Sequence, residues 1–480
     1  MEQKKVGTGT KVLYGLGAFG YGSIGQTLGS FLMFFGTGIL GIPGALMGLA
    51  VAIGTVWDAT TDPFVGYYSD KMRSRVFGKR HAFILFGCIF VAITNILIWS
   101  ISPGMSIGSK FAFMLILLLV IETFNTIYST PYQALGLDLS KTYEDRTAVQ
   151  AYKTTFSFLS LLVPSFLMMV FLSPGRYATM DASARGYIEI AWFTSALCIL
   201  TGLVTFFGTY KHRHKDEEFI KEPKLSRQQK KLLRQQEKKS GKGIFADFFG
   251  VVKQKNVTRL IIGYAISLGA GAFITSLGLH IFTYTFQFST FQIPIIMLCL
   301  VFGIIAGQPL WFWYSKKTDK ISALLTAICV VIIGILIFSI ALAFRNTVHE
   351  SMVLPFVAIT IFICGIGTGC LYSLPISMFA DCIEIERQKT GVDKTAISAG
   401  FLTFCTKISN AFIMFVIGVS LDLIGFRGGE PTQSLDVQNW LGWLLIIGVI
   451  LACTSALFVY SGYTYSKKDF EESMDPSPIP

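Results

Sequence analysis

Long apolar blocks separated by short polar stretches follow one another along almost the whole chain. A bilayer core about 30 Å thick needs roughly 20 apolar residues in a helix. The strands of a transmembrane β-barrel would instead show alternating apolar and polar residues over about 10 residues. The pattern predicts an all-α membrane protein with twelve transmembrane helices. We place them at 12–38, 44–69, 81–102, 111–133, 149–172, 187–209, 257–285, 290–314, 322–344, 352–380, 396–424 and 438–463.

A polar segment between the sixth and seventh spans divides the chain into two halves. We expect an N-terminal six-helix bundle at 1–210, a cytoplasmic linker at 211–256, a C-terminal six-helix bundle at 257–466 and a cytoplasmic tail at 467–480. The linker contains LSRQQKKLLRQQEKKSGKG, a composition typical of a solvated segment on an anionic membrane surface. Binding of a cytoplasmic regulator is the alternative interpretation.

The two halves resemble each other at equivalent places. DPFVGYYSDK at 62–71 in the second span matches QPLWFWYSKK at 308–317 in the eighth, with Pro, Tyr-Ser and Lys at the same offsets. RTA at 146–148, entering span five, recurs as KTA at 394–396, entering span eleven. Parallel repeats of this kind are the plan of the major facilitator fold, which we therefore predict.

The small fraction of charged residues supports the membrane assignment, and the placement of positive charge predicts a topology. Of 480 residues 52% are hydrophobic and only 14% charged, whereas a soluble protein carries about 25% charged residues. The net charge of +11 is concentrated on alternate loops, which predicts that both termini are cytoplasmic in a multi-pass cell-membrane protein. Positive charge placed in this way indicates topology and not nucleic-acid binding.

Two carboxylates lie within the second span, where an ionisable group is costly and needs a reason. Asp58 and Asp62 are four residues apart in GTVWDATTDPFVGYYSD, so they share a helix face about 6 Å from each other. Either one of them holds a proton or a cation lies between them. Thr61 adds a hydroxyl, and Pro63 leaves a helix carbonyl without its usual partner. We predict a monovalent-cation site here; ion pairing for packing alone is the alternative.

Other polar groups within spans leave more than one interpretation open. Lys407 lies deep in span eleven, where it is either a partner of the aspartates or part of a structural ion pair. Lys153 lies a few residues into span five and either faces the interior or reaches the cytoplasmic interface. Glu122 and Thr126 in span four are each candidates for a site or for packing. His280, near the outer end of span seven, is more typical of a satisfied interior histidine.

The chain resembles the glycoside–pentoside–hexuronide:cation symporters, the melibiose-permease branch of the major facilitators. The resemblance spans nearly the whole sequence. It rests on YGLGAFG at 14–20, WDATTDP at 57–63, SRVFGKR at 74–80, TIYSTPY at 126–132, DRT and YK within 145–153, ADCIE at 380–384, TFCTKISNA at 403–411 and LDLIGF at 421–426.

The resemblance implies roles for five of these residues. It makes Asp58 and Asp62 the carboxylates that bind the coupling cation, Na⁺ or H⁺, and it makes Thr61 and Thr126 nearby ligands. Lys407 would lie close by and take part in coupling. It implies a monovalent cation, no further metal and no organic cofactor.

The substrate site departs from the melibiose-type pattern. Gly22 and Ser129 stand where those permeases carry sugar-binding acids, and Lys153 stands where they carry an arginine. The same features resemble the animal sodium-dependent lysophospholipid symporters. We place the substrate among Gly22, Glu122, Ser129 and Lys153. Loss of two acids with retention of a lysine favours a substrate with an anionic group.

These observations predict a cation-coupled symporter of a sugar or glycoside, in particular an anionic one such as a hexuronide or a sulfonated sugar. A sodium-coupled lysophospholipid symporter is one alternative, and an uncoupled facilitator or exporter of the same fold is another. The partners we expect are a small-molecule substrate, the coupling cation and membrane lipid, but no nucleic acid. The loops carry no His/Asp, metal or nucleophile cluster of the kind a membrane-embedded enzyme needs.

Overall fold

A computed structural model describes residues 6–72, 74, 77–139, 143–172, 180–212, 252–390, 395–466 and 468–470. Within these residues the regular structure is helical, apart from one isolated bridge between Ser74 and Gly78. The predicted all-α class is confirmed. Most of the expected linker at 211–256 and tail at 467–480 lies outside the described residues.

Every predicted span corresponds to a helix. The α-helices are α1 Thr8–Phe34, α2 Gly44–Lys71, α3 His81–Trp99, α4 Ile107–Asp138, α5 Tyr143–Ser160, α6 Val163–Phe171, α7 Met180–Thr209, α8 Lys255–His280, α9 Gln292–Lys317, α10 Lys320–Phe344, α11 Glu350–Thr390, α12 Thr395–Leu423 and α13 Leu435–Tyr460. In the part of the chain that the structure describes, eleven spans are long and apolar enough to cross a membrane. The glycine-rich α1 supplies the twelfth long helix.

The fifth span differs from the continuous helix that we predicted at 149–172. It is divided between α5 and α6, and the backbone tightens where they meet. Leu161 N donates to Phe158 O at 3.1 Å and Leu162 N donates to Leu159 O at 3.2 Å, three residues back in each case. Pro164 follows and has no N–H to continue the ladder. The break therefore comes from a local proline that the apolar pattern does not reveal.

The helices group into two compact units. The first contains the described residues up to 212 together with Thr275–Leu298 and Met414–Leu441. Within it α1 packs against α5 and α7, α2 packs against α4, and α3 packs against α4 and α7. The second contains the described residues of 252–274 and 442–470 together with Cys299–Ile413, and in it α10 packs against α11.

A reciprocal pair of tyrosines fastens α1 to α4 in the core of the first unit. The Tyr14 hydroxyl donates to Tyr132 O at 3.2 Å, and the Tyr132 hydroxyl donates to Tyr14 O at 2.7 Å. Their rings stack with centroids 4.6 Å apart, and Tyr128 extends the stack at 5.5 Å from Tyr132. All three side chains are buried. We call this stack of Tyr14, Tyr128 and Tyr132 the tyrosine seam. It fixes how α1, which carries Gly22, lies along α4, which carries Ser129.

In the second unit, α9 crosses α11 at close range. Gln308 Nε2 donates to Gly369 O at 2.9 Å and Trp311 Nε1 donates to Ile366 O at 2.7 Å. Gln308 occupies the place in the repeat that Asp62 holds in the first half. Its amide thus holds two helices of the second unit together.

The first helix of each half ends in the same irregularity. α1 runs into a π-helical turn at Phe35–Ile39, and α8 runs into one at Ile281–Thr285. Each turn closes with a hydrogen bond over five residues, from Leu40 N to Phe35 O at 2.8 Å and from Phe286 N to Ile281 O at 3.0 Å. The repeat predicted from short sequence matches thus extends to a rare backbone feature.

The orientation of the helices in the membrane stays a prediction that labelling can check. We expect cysteines engineered at 225–240 to react with a membrane-impermeant reagent only after the cells are permeabilised, because the basic linker should be cytoplasmic. A cysteine engineered in the loop at 102–106 serves as the control and should react in intact cells. Reaction of the linker cysteines in intact cells would reverse the topology.

Candidate functional site

The acid pair of α2 faces a threonine of α4. Thr126 Oγ1 donates to Asp58 Oδ1 at 2.8 Å, and Thr61 Oγ1 lies 3.5 Å from Thr126 Oγ1. Thr61 also donates to Asp58 O at 3.2 Å. Thr126 is buried, whereas Asp58 and Asp62 are half-buried. Three of the four residues predicted for a cation site therefore meet through hydrogen bonds.

Asp62 lies one turn further along α2, on the face of the helix that carries Asp58. The adjacent Pro63 lies inside the helix and cannot bond to Ala59 O. The four predicted residues together offer carboxylate and hydroxyl oxygens, with no nitrogen or sulfur. Hard cations prefer such oxygen donors. Two carboxylates one helical turn apart repel each other, and a cation bound between them would offset that repulsion.

Neighbouring polar groups of α4 help to hold α2 in place. Trp57 Nε1, from the residue before Asp58, donates to Thr123 Oγ1 at 2.9 Å. Asn125 Nδ2 donates to Glu122 Oε2 at 3.3 Å. Glu122 therefore makes a polar contact within its own helix, beside Thr123 and one turn from Thr126.

A polar cavity of about 190 Å³ opens beside this cluster in the first unit. It brings together three of the four residues that we predicted around the substrate: Gly22 of α1, Ser129 of α4 and Lys153 of α5. The fourth, Glu122, is not part of its lining. The lining consists of Ala18, Tyr21, Gly22, Gln26, Ser129, Tyr132, Gln133, Lys153, Ser157 and Ser160.

Lys153 provides the positive charge of the cavity. Among the residues that the structure describes, none pairs with its ammonium group, which is half-buried. A charge in such a position gains much from an anionic partner, because water solvates it incompletely. The ammonium group is therefore available to a ligand.

The glycine at position 22 lets α5 approach α1. A Cβ added to Gly22 would lie 2.7 Å from Ser160 Oγ, closer than carbon and oxygen can comfortably be. A larger residue at this position would displace Ser160, which lies at the end of α5 where span five breaks. Packing thus links the glycine at position 22 to the end of α5, where span five breaks.

Tyr21 connects the cavity with the acid pair. Its ring stacks on Tyr128 with centroids 5.3 Å apart, and it lines the cavity. Ser129 also lines the cavity, close to the Tyr21 hydroxyl. The same hydroxyl lies within electrostatic range of Asp58, Asp62 and Glu122. A single side chain thus faces both candidate sites.

Sequence reasoning missed three further polar residues of the cavity, although a signal was present. Gln26, Gln133 and Ser157 each follow a predicted residue by four positions. Residues four apart lie on the same face of a helix. Including the residue one helical turn after each predicted site residue would have found all three.

Two further candidates lie elsewhere. Lys407 is half-buried on α12 in the second unit, near Ser409, whose hydroxyl donates to Ala265 O at 2.8 Å. Its coupling role stays a prediction. His280 is buried in the first unit, where its Nε2 lies 2.7 Å from Thr37 Oγ1 and its Nδ1 lies 3.2 Å from Ser276 O. Both ring nitrogens have partners, which fits the structural role that we favoured for it.

A repeated bundle of membrane-length helices, with an acid pair inside one helix and a polar cavity beside it, is typical of a multi-pass membrane transporter. The chain belongs to the MFS/sugar transport protein family, whose model matches residues 13–467. The resemblance inferred from the motifs is confirmed.

The relatives of the chain are symporters of more than one kind. It is 21% identical to the sodium-dependent lysophosphatidylcholine symporter 1 of Xenopus tropicalis, over 97% of this chain and 88% of that protein. It is 23% identical to the inner membrane symporter YicJ of Escherichia coli, over 99% of this chain and 96% of that protein. Membership among symporters implies a small-molecule substrate and a coupling ion.

Solved structures show the same fold. A bacterial homolog of the human lysosomal transporter Spinster, in an inward-facing and unoccupied conformation, matches with a TM-score of 0.64 at 12% identity, over 98% of this chain and 100% of that chain. Together with the family match, this likeness confirms the predicted major facilitator fold.

Proposed function

We propose that the chain couples the downhill movement of a monovalent cation, Na⁺ or H⁺, to the uptake of a solute that carries an anionic group. The observation that carries the coupling is the oxygen cluster of Asp58, Thr61 and Thr126, with Asp62 one turn away. A cation that binds there stabilises one conformation of the transporter over another by its differential affinity. A substrate bound in the adjacent cavity responds to the same equilibrium.

The chemistry of the cavity favours an anionic substrate. Lys153 contributes an ammonium group, while Gln26, Ser129 and Gln133 contribute neutral hydrogen-bonding groups. A carboxylate, sulfonate or phosphate would pair with the ammonium, and sugar hydroxyls would bond to the amides and the serine. We therefore propose an anionic sugar, such as a hexuronide or a sulfonated sugar.

A lysophospholipid is the second candidate, because relatives such as the Xenopus tropicalis protein carry that name. Its phosphate would take the place beside Lys153 that the sugar acid takes in the first proposal. The apolar chain would then have to lie outside this small polar cavity. An uncoupled facilitator or exporter of the same fold is a third possibility that the same transport assay addresses.

Uptake into proteoliposomes tests these proposals together. The reconstituted protein is offered a uronide, a sulfonated sugar, a neutral galactoside and lysophosphatidylcholine, each with a Na⁺ gradient, a proton gradient or neither. We expect accumulation of one anionic substrate above its external concentration only when a cation gradient is present. Equilibration without accumulation under every gradient would indicate a facilitator, and preference for the neutral galactoside would contradict the anionic class.

A further inference from the structure

A carboxylate from α12 caps the beginning of α2. Asp422 Oδ1 accepts from Gly44 N at 2.6 Å, and Asp422 Oδ2 accepts from Ala45 N at 2.8 Å. The residue before α2 is Pro43, which provides no side-chain cap. The first N–H groups of a helix lack partners within it and carry partial positive charge. Here their acceptor comes from a residue almost four hundred positions away in sequence.

The two helices touch backbone to backbone beside this cap. A Cβ added to Gly48 would lie 2.6 Å from Met414 O, and one added to Gly44 would lie 2.9 Å from the Cβ of Leu421. Gly418 lies between them, against the backbone of both glycines. Only glycines allow this approach, and it lets the short aspartate side chain reach the beginning of α2.

Further bonds surround the cap at the same end of the first unit. Gly429 N donates to Gly38 O at 2.9 Å, and Thr37 Oγ1 contacts His280 Nε2 at 2.7 Å. The rings of His280 and Phe426 pack with centroids 5.5 Å apart. Residues of the second half of the sequence thus bond to the end of α1 and to the beginning of α2.

Transporters of this fold alternate access by rocking one half against the other around a fixed site. Opening at this end therefore requires that the contacts of α12 with α2 separate. We propose that these contacts between α12 and α2 form a gate and that Asp422 is its latch, the residue that keeps the gate closed. Its carboxylate holds the first turn of α2 until water replaces it. Asp422 is exposed, so its bonds exchange readily with water and the latch is reversible. The helix that it holds is the one that carries Asp58 and Asp62.

Cysteine accessibility tests the latch without any substrate or cation. Met33 is 4% exposed and lies on α1 one turn before Thr37, so Met33→Cys reports opening at this end. A membrane-impermeant thiol reagent is added to intact cells and to inverted vesicles, with the protein lacking Met33→Cys as the background. Adding Asp422→Ala should speed labelling from one side about fivefold, which corresponds to about 1 kcal/mol.

Two variants serve as controls. Asp436→Ala removes another exposed acid, one in the first turn of α13, and should leave the labelling rate unchanged. Asp422→Asn keeps one acceptor oxygen and should give a smaller increase in the labelling rate. It also replaces Asp422→Ala as the test variant if that protein does not assemble. Equal labelling with and without the Asp422 substitutions, or an equal increase with Asp436→Ala, would overturn the proposal. Neither result would bear on the cation site, because neither measurement involves transport.

Discussion

Replacing Asp58 or Asp62 with Asn is expected to abolish concentrative uptake while leaving downhill exchange of substrate. Asparagine keeps the size of the side chain but removes its charge. An interaction with a charged group is worth about 1.5–3 kcal/mol, so cation affinity should fall about 10- to 100-fold. Uptake measured against cation concentration, followed by counterflow with no gradient, separates the two activities.

Asp138→Asn is the matched control for this experiment, because it makes the same change in an exposed acid that pairs with Arg80 at 3.3 Å. It should transport normally. Thr126→Val should give an intermediate loss, since it removes only the hydroxyl that bonds to Asp58. Normal accumulation by both aspartate variants would mean that the coupling cation binds elsewhere.

Replacing Lys153 with Ala is expected to weaken binding of the anionic substrate by roughly tenfold or more. The loss corresponds to a charged hydrogen bond of about 1.5–3 kcal/mol in an incompletely solvated cavity. Lys153→Arg should retain most of the affinity, because it retains the charge. Binding is measured directly by calorimetry or by displacement in the presence of a saturating cation concentration.

Lys316→Ala is the control, because Lys316 lies at the end of α9 in the second unit. The reverse experiment is Ser129→Asp, which would give Lys153 an acidic neighbour in the cavity and shift preference toward neutral sugars. Tight binding of a neutral galactoside that Lys153→Ala does not change would rule out the anionic class.

Most of the fold could be predicted from the sequence, because a membrane span is a strong local signal. Twenty consecutive apolar residues have few alternatives to a spanning helix, and each predicted span met a helix. The division of span five at Leu161 and Leu162 was missed because hydropathy does not register one proline. Pro164 was the available signal. The twofold repeat was visible in short matches, but the shared π-helical turns were not, since no sequence pattern defines them.

The candidate site was predictable in part. The i, i+4 spacing of Asp58 and Asp62 places both on one face of α2 without any tertiary information. The bond from Thr126 to Asp58 joins residues sixty-eight positions apart, and helical periodicity cannot give such a pairing. The position of Tyr21 between the acid pair and the cavity likewise depends on the tyrosine seam between α1 and α4, which only the packed structure reveals.

The widened turns at the ends of α1 and α8 carry information about ancestry. A π-turn closes over one residue more than an α-turn, so it accommodates a single inserted residue. Both halves carry the widened turn at the end of their first helix, after 27 residues in α1 and 26 in α8. Two separate insertions at matching places require two events, whereas one insertion in a six-helix ancestor requires one. The matching positions of the two widened turns are what one insertion made before a duplication would leave in both halves.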